Sequence, residues 1–183
     1  MKKGGLPMPV RTLTLTALLA ALLCICGPLT LPAGPVPLSL ATAVMLLAAL
    51  LLGCGRAALC VSVYLLMGLA GLPAFSGFAG GAGMLAGPTG GFLLGYLPMT
   101  ALVGLVCSRA ESRAVQLLGM LAGTALLYAA GSAWYAWQTG VGLTGTLTVC
   151  VLPFLPGDAL KIAAVLTAGN RIKARLKRAG LLR

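Results

Sequence analysis

Apolar residues in this chain come in long runs, separated by short breaks rich in glycine, proline or basic side chains. A bilayer core of about 30 Å takes roughly 20 apolar residues as a helix, with a range of about 17 to 25. Measured against that length, the pattern predicts six helical segments, at about 12–28, 37–53, 56–71, 91–108, 113–137 and, with an interruption, 143–169. The implied fold class is an all-α membrane protein with six transmembrane helices, forming one integral membrane domain over residues 1–183. A short stretch, 1–11, precedes the first helix, and a basic tail, 170–183, follows the last.

The charges orient these segments. Twelve of the thirteen basic residues fall in the N-terminal stretch (Lys2, Lys3, Arg11), the turn at Arg56, the turn at Arg109 and Arg113, and the tail from Arg171 to Arg183. The alternate connections, 28–37, 71–91 and 138–143, hold none. Basic residues are retained on the cytoplasmic side, so the alternation predicts an N-in, C-in, multi-pass protein of the cell membrane.

Composition agrees and removes other classes. With 60% apolar and 8% charged residues, and two acids against thirteen bases, the chain cannot supply a polar exterior. The net charge of +11 does not indicate nucleic acid, because the bases sit at segment ends without interleaved aromatic residues for stacking. Six cysteines lie in or beside apolar runs, where thiols act as small hydrophobes, and no histidine is present to complete a metal site. Lys2, Lys3 and Arg11 before an apolar run imitate a secretory signal, but further spans follow and no A-x-A-like site appears, so this is read as a retained first helix.

The uncharged connections have distinct chemistry. The first, GPLTLPAGPVPL, carries Pro28, Pro32, Pro35 and Pro37 and favours a stiff, extended path. The second, GLPAFSGFAGGAGMLAGPTGG, is long, apolar and glycine-rich, which predicts packing against the helices rather than disorder. Phe75, Ser76 and Phe78 are expected to line a cavity there. Gly87, Gly91 and Gly95 recur every four residues, as in close helix packing, and Ala17/Ala21 and Gly119/Gly123 have the same spacing. For these last two pairs a chance recurrence in a chain rich in small residues and a partner contact both fit. Trp134, Tyr135 and Trp137 have the character of an interfacial aromatic anchor. Phosphate cradling is disfavoured, since no G-x-x-x-x-G-K-[ST] motif occurs.

The sixth segment carries the chemistry, in PFLPGDALK at 153–161. Pro153, Pro156 and Gly157 break and restart the helix, and Asp158 and Lys161, three apart, share one face. An ionisable residue at bilayer depth costs about 2.5–3.5 kcal/mol on insertion scales and marks a functional site by default. Asp158 as a helix cap, with Lys161 as its companion, is the bland reading. A ligand-binding pair, offering both acceptor and donor, explains the lysine as well.

GPVPL at 34–38, GLPAFSGFAGGAGMLAGPTGGFLLGY at 71–96 and PFLPGDALK at 153–161, in this order, resemble the BioY family, biotin-binding S components of energy-coupling factor (ECF) transporters. The similarity runs from about residue 12 to 178. The resemblance implies a six-helix S-component fold with a biotin pocket toward the outer side. It implies that Asp158 and Lys161 contact the polar groups of biotin, with Ser39, Phe75, Ser76, Gly91 and Tyr96 around them. It also implies that Ala17 and Ala21 face an ECF transmembrane coupling protein, itself driven by two ABC-type ATPases. Biotin is then the transported ligand, and no cofactor is expected. A mostly apolar pocket with a few placed polar groups suits its ureido ring, apolar bicycle and carboxylate. The alternatives are an S component for another vitamin, such as thiamine or riboflavin, and a membrane enzyme. An enzyme would have to work without histidine, with only Glu111 besides Asp158, and the chain has no Walker motif to hydrolyse ATP itself.

Overall fold

The computed structural model describes residues 10–31 and 38–181, and these are overwhelmingly helical. Helix α1 is Val10–Cys26, and a short antiparallel ladder follows between β1 (Thr30–Leu31) and β2 (Leu38–Ser39). GPVPL lies almost wholly outside the described residues. Helices α2 (Ala41–Leu52) and α3 (Cys54–Leu69) meet at Gly53, whose φ of 75° turns the chain between them. The glycine-rich connection contains a 3₁₀ turn at Ser76–Phe78 and the short helix α4 (Gly83–Ala86). Then come α5 (Gly90–Arg109), α6 (Arg113–Thr139), α7 (Leu143–Cys150) and α8 (Leu155–Ala164), a π turn at Val165–Gly169, and α9 (Asn170–Arg178).

The six expected segments each contain helix, but several are shorter than the hydropathy suggests. Among the described residues, only α5 and α6 are long and apolar enough to cross a bilayer alone. α7 and the α8–α9 segment pass the same test together, bent by 44° at the break. α1, α2 and α3 have 17, 12 and 16 residues. α2 is shortened at its start, where residues expected to be helical form β2 and a turn. It rises only about 18 Å at 1.5 Å per residue.

The core is built on glycine contacts between α5 and α6. A Cβ at Gly119 or Gly123 would sit 2.7 Å or 2.4 Å from Val106 or Val103, and one at Gly131 would strike the Phe92 ring at 2.4 Å. The Gly119/Gly123 pair therefore serves internal packing of α6 on α5. Ala17 and Ala21, by contrast, are exposed on α1, whose inward face is Thr12, Thr16, Leu19, Ala20 and Leu23.

The glycine-rich connection is packed on the helices, as its apolar composition predicts. Tyr64 of α3 donates to the Ala74 carbonyl at 3.1 Å, and its ring meets Phe75 edge-on with centroids 5.7 Å apart. The Phe75 ring rests on Gly68, where a Cβ would lie 2.3 Å from it. Backbone N–H groups of Gly81 and Gly77 donate to Gly68 and Pro28 carbonyls, at 2.7 and 3.3 Å. Trp134 donates from its indole to the Gly87 carbonyl at 3.0 Å, and Tyr135 is buried, so of the three aromatic residues Trp137 alone has the exposure of an interfacial anchor.

Candidate solute-binding site

The break in the last segment decides where its charges go. Phe154 is the N-cap of α8, with Pro156 in the first turn, where a missing N–H costs nothing. Asp158 lies one turn in: its N–H donates to the Phe154 carbonyl at 2.8 Å, and its side chain makes no cap bond. The capping interpretation of Asp158 is thereby excluded. Both Asp158 and Lys161 are buried, at 7% and 9% exposure, on the face of α8 that turns inward.

There they form a closed network. Lys161 Nζ donates to Asp158 Oδ1 at 2.8 Å, to the Ser39 carbonyl at 2.7 Å and to Thr42 Oγ1 at 2.9 Å. An ammonium has three protons, and all three are used. Tyr128 of α6 donates to Asp158 Oδ2 at 2.5 Å. One ion pair thus ties α8 to the start of α2 and to the middle of α6. The arrangement meets the condition for keeping charges out of water, namely pairing plus hydrogen bonds to the remaining positions.

This network forms the polar end of a cavity of about 270 Å³. Its other walls are Phe75 and Ser76 from the glycine-rich connection, Met84 of α4, Thr89, Phe92, Leu93 and Tyr96 at the head of α5, Leu127 beside Tyr128, and Phe154. The hydroxyls of Ser76, Thr89 and Tyr96 make no hydrogen bond among the described residues. The volume lies near the lower end of small-molecule sites, about 300 Å³, and the lining is of the usual kind, apolar with a few fixed polar groups.

Asp158, Lys161, Ser39, Phe75, Ser76 and Tyr96 all line this one cavity. Ser39 does so in a particular way: its hydroxyl is spent on the Gly27 carbonyl and the Ala41 N–H, both at 3.0 Å, and its carbonyl serves the site. Gly91 is not in the lining. It is buried where a Cβ would stand 2.2 Å from Trp134 Cβ and 2.9 Å from the Ala130 carbonyl, so its place is in the α5–α6 contact. Phe78, at a φ of 60°, points out and is 67% exposed. Thr42, Tyr128, Phe92 and Phe154 were not legible as site residues. Tyr128 is one of several polar groups in a long, mainly apolar helix, and nothing local links it to a carboxylate thirty residues on.

A predominantly helical, bilayer-spanning bundle with an apolar cavity closed by one buried ion pair defines a membrane-embedded protein that holds a small solute. The model of the BioY family matches residues 1–178. The biotin transporter BioY of Thermotoga maritima is 32% identical over 164 residues, covering 90% of this chain and 96% of that protein. The biotin transporter BioY of Rhizobium etli is 34% identical over 177 residues, covering 90% and 94%. The crystal structure of the S component for biotin from an ECF-type ABC transporter superposes with a TM-score of 0.83 at 29% identity, covering 90% of this chain and 92% of that one. The chain belongs to the BioY family, and its fold is that of an S component.

Proposed function

We propose that this chain is the biotin-binding S component of an ECF-type uptake transporter in the cell membrane. The observation that carries the reading is the cavity closed by Asp158, Lys161 and Tyr128, in a chain whose relatives are named biotin transporters. With the three Lys161 protons and the Tyr128 proton already placed, this end presents acceptor oxygens, which suits the N–H groups of the ureido ring. The hydroxyls of Ser76, Thr89 and Tyr96 remain to donate to ligand oxygens, and the aromatic and aliphatic walls accept the bicycle and chain.

The chain crosses the membrane six times as one domain, N-in and C-in. Arg11 donates to the Gly180 carbonyl at 3.4 Å, Lys177 pairs with Glu111 at 3.1 Å, and a Cβ on Gly53 would lie 3.6 Å from Ser108, so the basic connections gather at one end, as the charge rule requires. The cavity then belongs to the opposite, outer half. Exposed Ala17 and Ala21 on α1 offer a smooth strip to the ECF transmembrane coupling protein, which its ABC-type ATPases would drive.

Binding of labelled biotin to the purified chain tests the reading. Saturable binding that unlabelled biotin displaces, and thiamine and riboflavin do not, is the expected result. Preferential retention of another vitamin would overturn it.

A further inference from the structure

Thr167, Ala168, Arg171, Ile172 and Arg175 line a groove on the outer face of the last helical segment, where the π turn passes into α9. All five are exposed. Arg171 and Arg175 are four apart, which puts their guanidinium groups one turn apart on one face. The whole chain has two acidic residues, and both are engaged elsewhere: Asp158 with Lys161, Glu111 with Lys177. Neither arginine therefore meets a side-chain carboxylate.

Going back into the membrane-spanning part, the segment exposes Leu160, Ala164 and Ala168 at steps of four. Leu160, 73% exposed, stands about 16 Å along the axis from Arg171. The surface thus runs from aliphatic to small to doubly cationic along the helical segment. We propose that this face binds one anionic phospholipid of the inner leaflet, its phosphate held by Arg171 and Arg175 and its acyl chains against Leu160, Ala164 and Ala168. Guanidinium groups match phosphate oxygens in pairs, and basic sites beside cytoplasmic helix ends select anionic headgroups. A water-soluble acidic partner would satisfy the arginines but could not reach the aliphatic strip that continues from them. The assignment rests on the topology proposed above, which puts this end of the chain inside.

Native mass spectrometry of the full-length protein, equilibrated with equal phosphatidylglycerol and phosphatidylcholine, tests it. Wild type is expected to retain phosphatidylglycerol at least tenfold over phosphatidylcholine. Arg171→Gln/Arg175→Gln should lose that preference, whereas Arg178→Gln, outside the groove, should keep it. No preference in wild type overturns the proposal, and equal loss in the Arg178 variant overturns it in favour of mere charge attraction. Displacement of the lipid by soluble glycerol phosphate overturns it in favour of a phosphate site without a lipid. Biotin binding measured on the same samples reports folding of the variants. Its absence in wild type would strike the proposed function and leave the lipid result standing.

Discussion

Tyr128 and Asp158 are joined at 2.5 Å across two helices, the phenol donating and the carboxylate accepting. The contact fixes the Asp158 oxygen that Lys161 does not hold. Hydrogen bonds to charged groups contribute about 1.5–3 kcal/mol, which corresponds to about 10–100-fold in an equilibrium constant. Tyr128→Phe is expected to weaken biotin binding within that range while the protein stays inserted and folded. Titration calorimetry decides, and an unchanged Kd would remove Tyr128 from the site.

Asp158→Asn and Lys161→Ala are each expected to abolish tight biotin binding and to lower thermal stability. Breaking a buried pair leaves one charge uncompensated, at about 3–5 kcal/mol. Replacing both partners with apolar residues of similar size, Asp158→Leu with Lys161→Met, should recover stability without recovering binding. A double variant that binds biotin normally would show that the pair serves the fold and not the ligand.

Gly91→Ala separates packing from binding. The added Cβ meets Trp134 and the Ala130 carbonyl, and overpacking of this kind costs about 1–3 kcal/mol. We expect a lower melting temperature with near-normal biotin affinity at low temperature. Lost affinity at an unaltered melting temperature would instead put Gly91 at the ligand.

Bulky substitutions at Ala17 or Ala21, such as Ala17→Trp, should spare biotin binding, since both side chains point away from the cavity. They should reduce co-purification with the coupling protein. Undiminished co-purification would count against that face of α1.

Where the basic connections meet, the hydrogen bond and the charge of Lys177 hold the Glu111 carboxyl below its ordinary range. For a depressed acid, the stabilisation is present above its unfolded pKa and is lost as pH falls through the folded one. Hydrogen exchange in α9 should therefore rise as pH falls below the ordinary carboxylate range and Glu111 protonates, and high salt should mimic the effect because the pair is exposed. Glu111→Gln should remove the pH response in this region. A persistent response would assign it to another group.

The two ends of the site differ in how much of them was legible beforehand. Asp158 and Lys161 declared themselves because an ionisable residue in an apolar run is expensive and therefore rare, and three-residue spacing on a restarted helix puts both on one face. Phe75, Ser76 and Tyr96 came from a connection too apolar for solvent and from a resemblance carried by whole motifs. Gly91 shows the limit: a glycine beside motif residues is compatible with both a close ligand and a close helix, and only the position of Trp134 distinguishes them.

Sequence alone determined that the protein lives in lipid, roughly where its helical segments fall and which residues carry charge into apolar runs. Those properties follow from transfer energies and periodicities that each segment has by itself. Tertiary structure decided that Lys161 spends its protons on Asp158, Thr42 and the Ser39 carbonyl, that Tyr128 completes the carboxylate, and that Gly119 and Gly123 face α5. Such contacts join residues up to 122 positions apart, and their partners are set by helix packing, which no local pattern encodes.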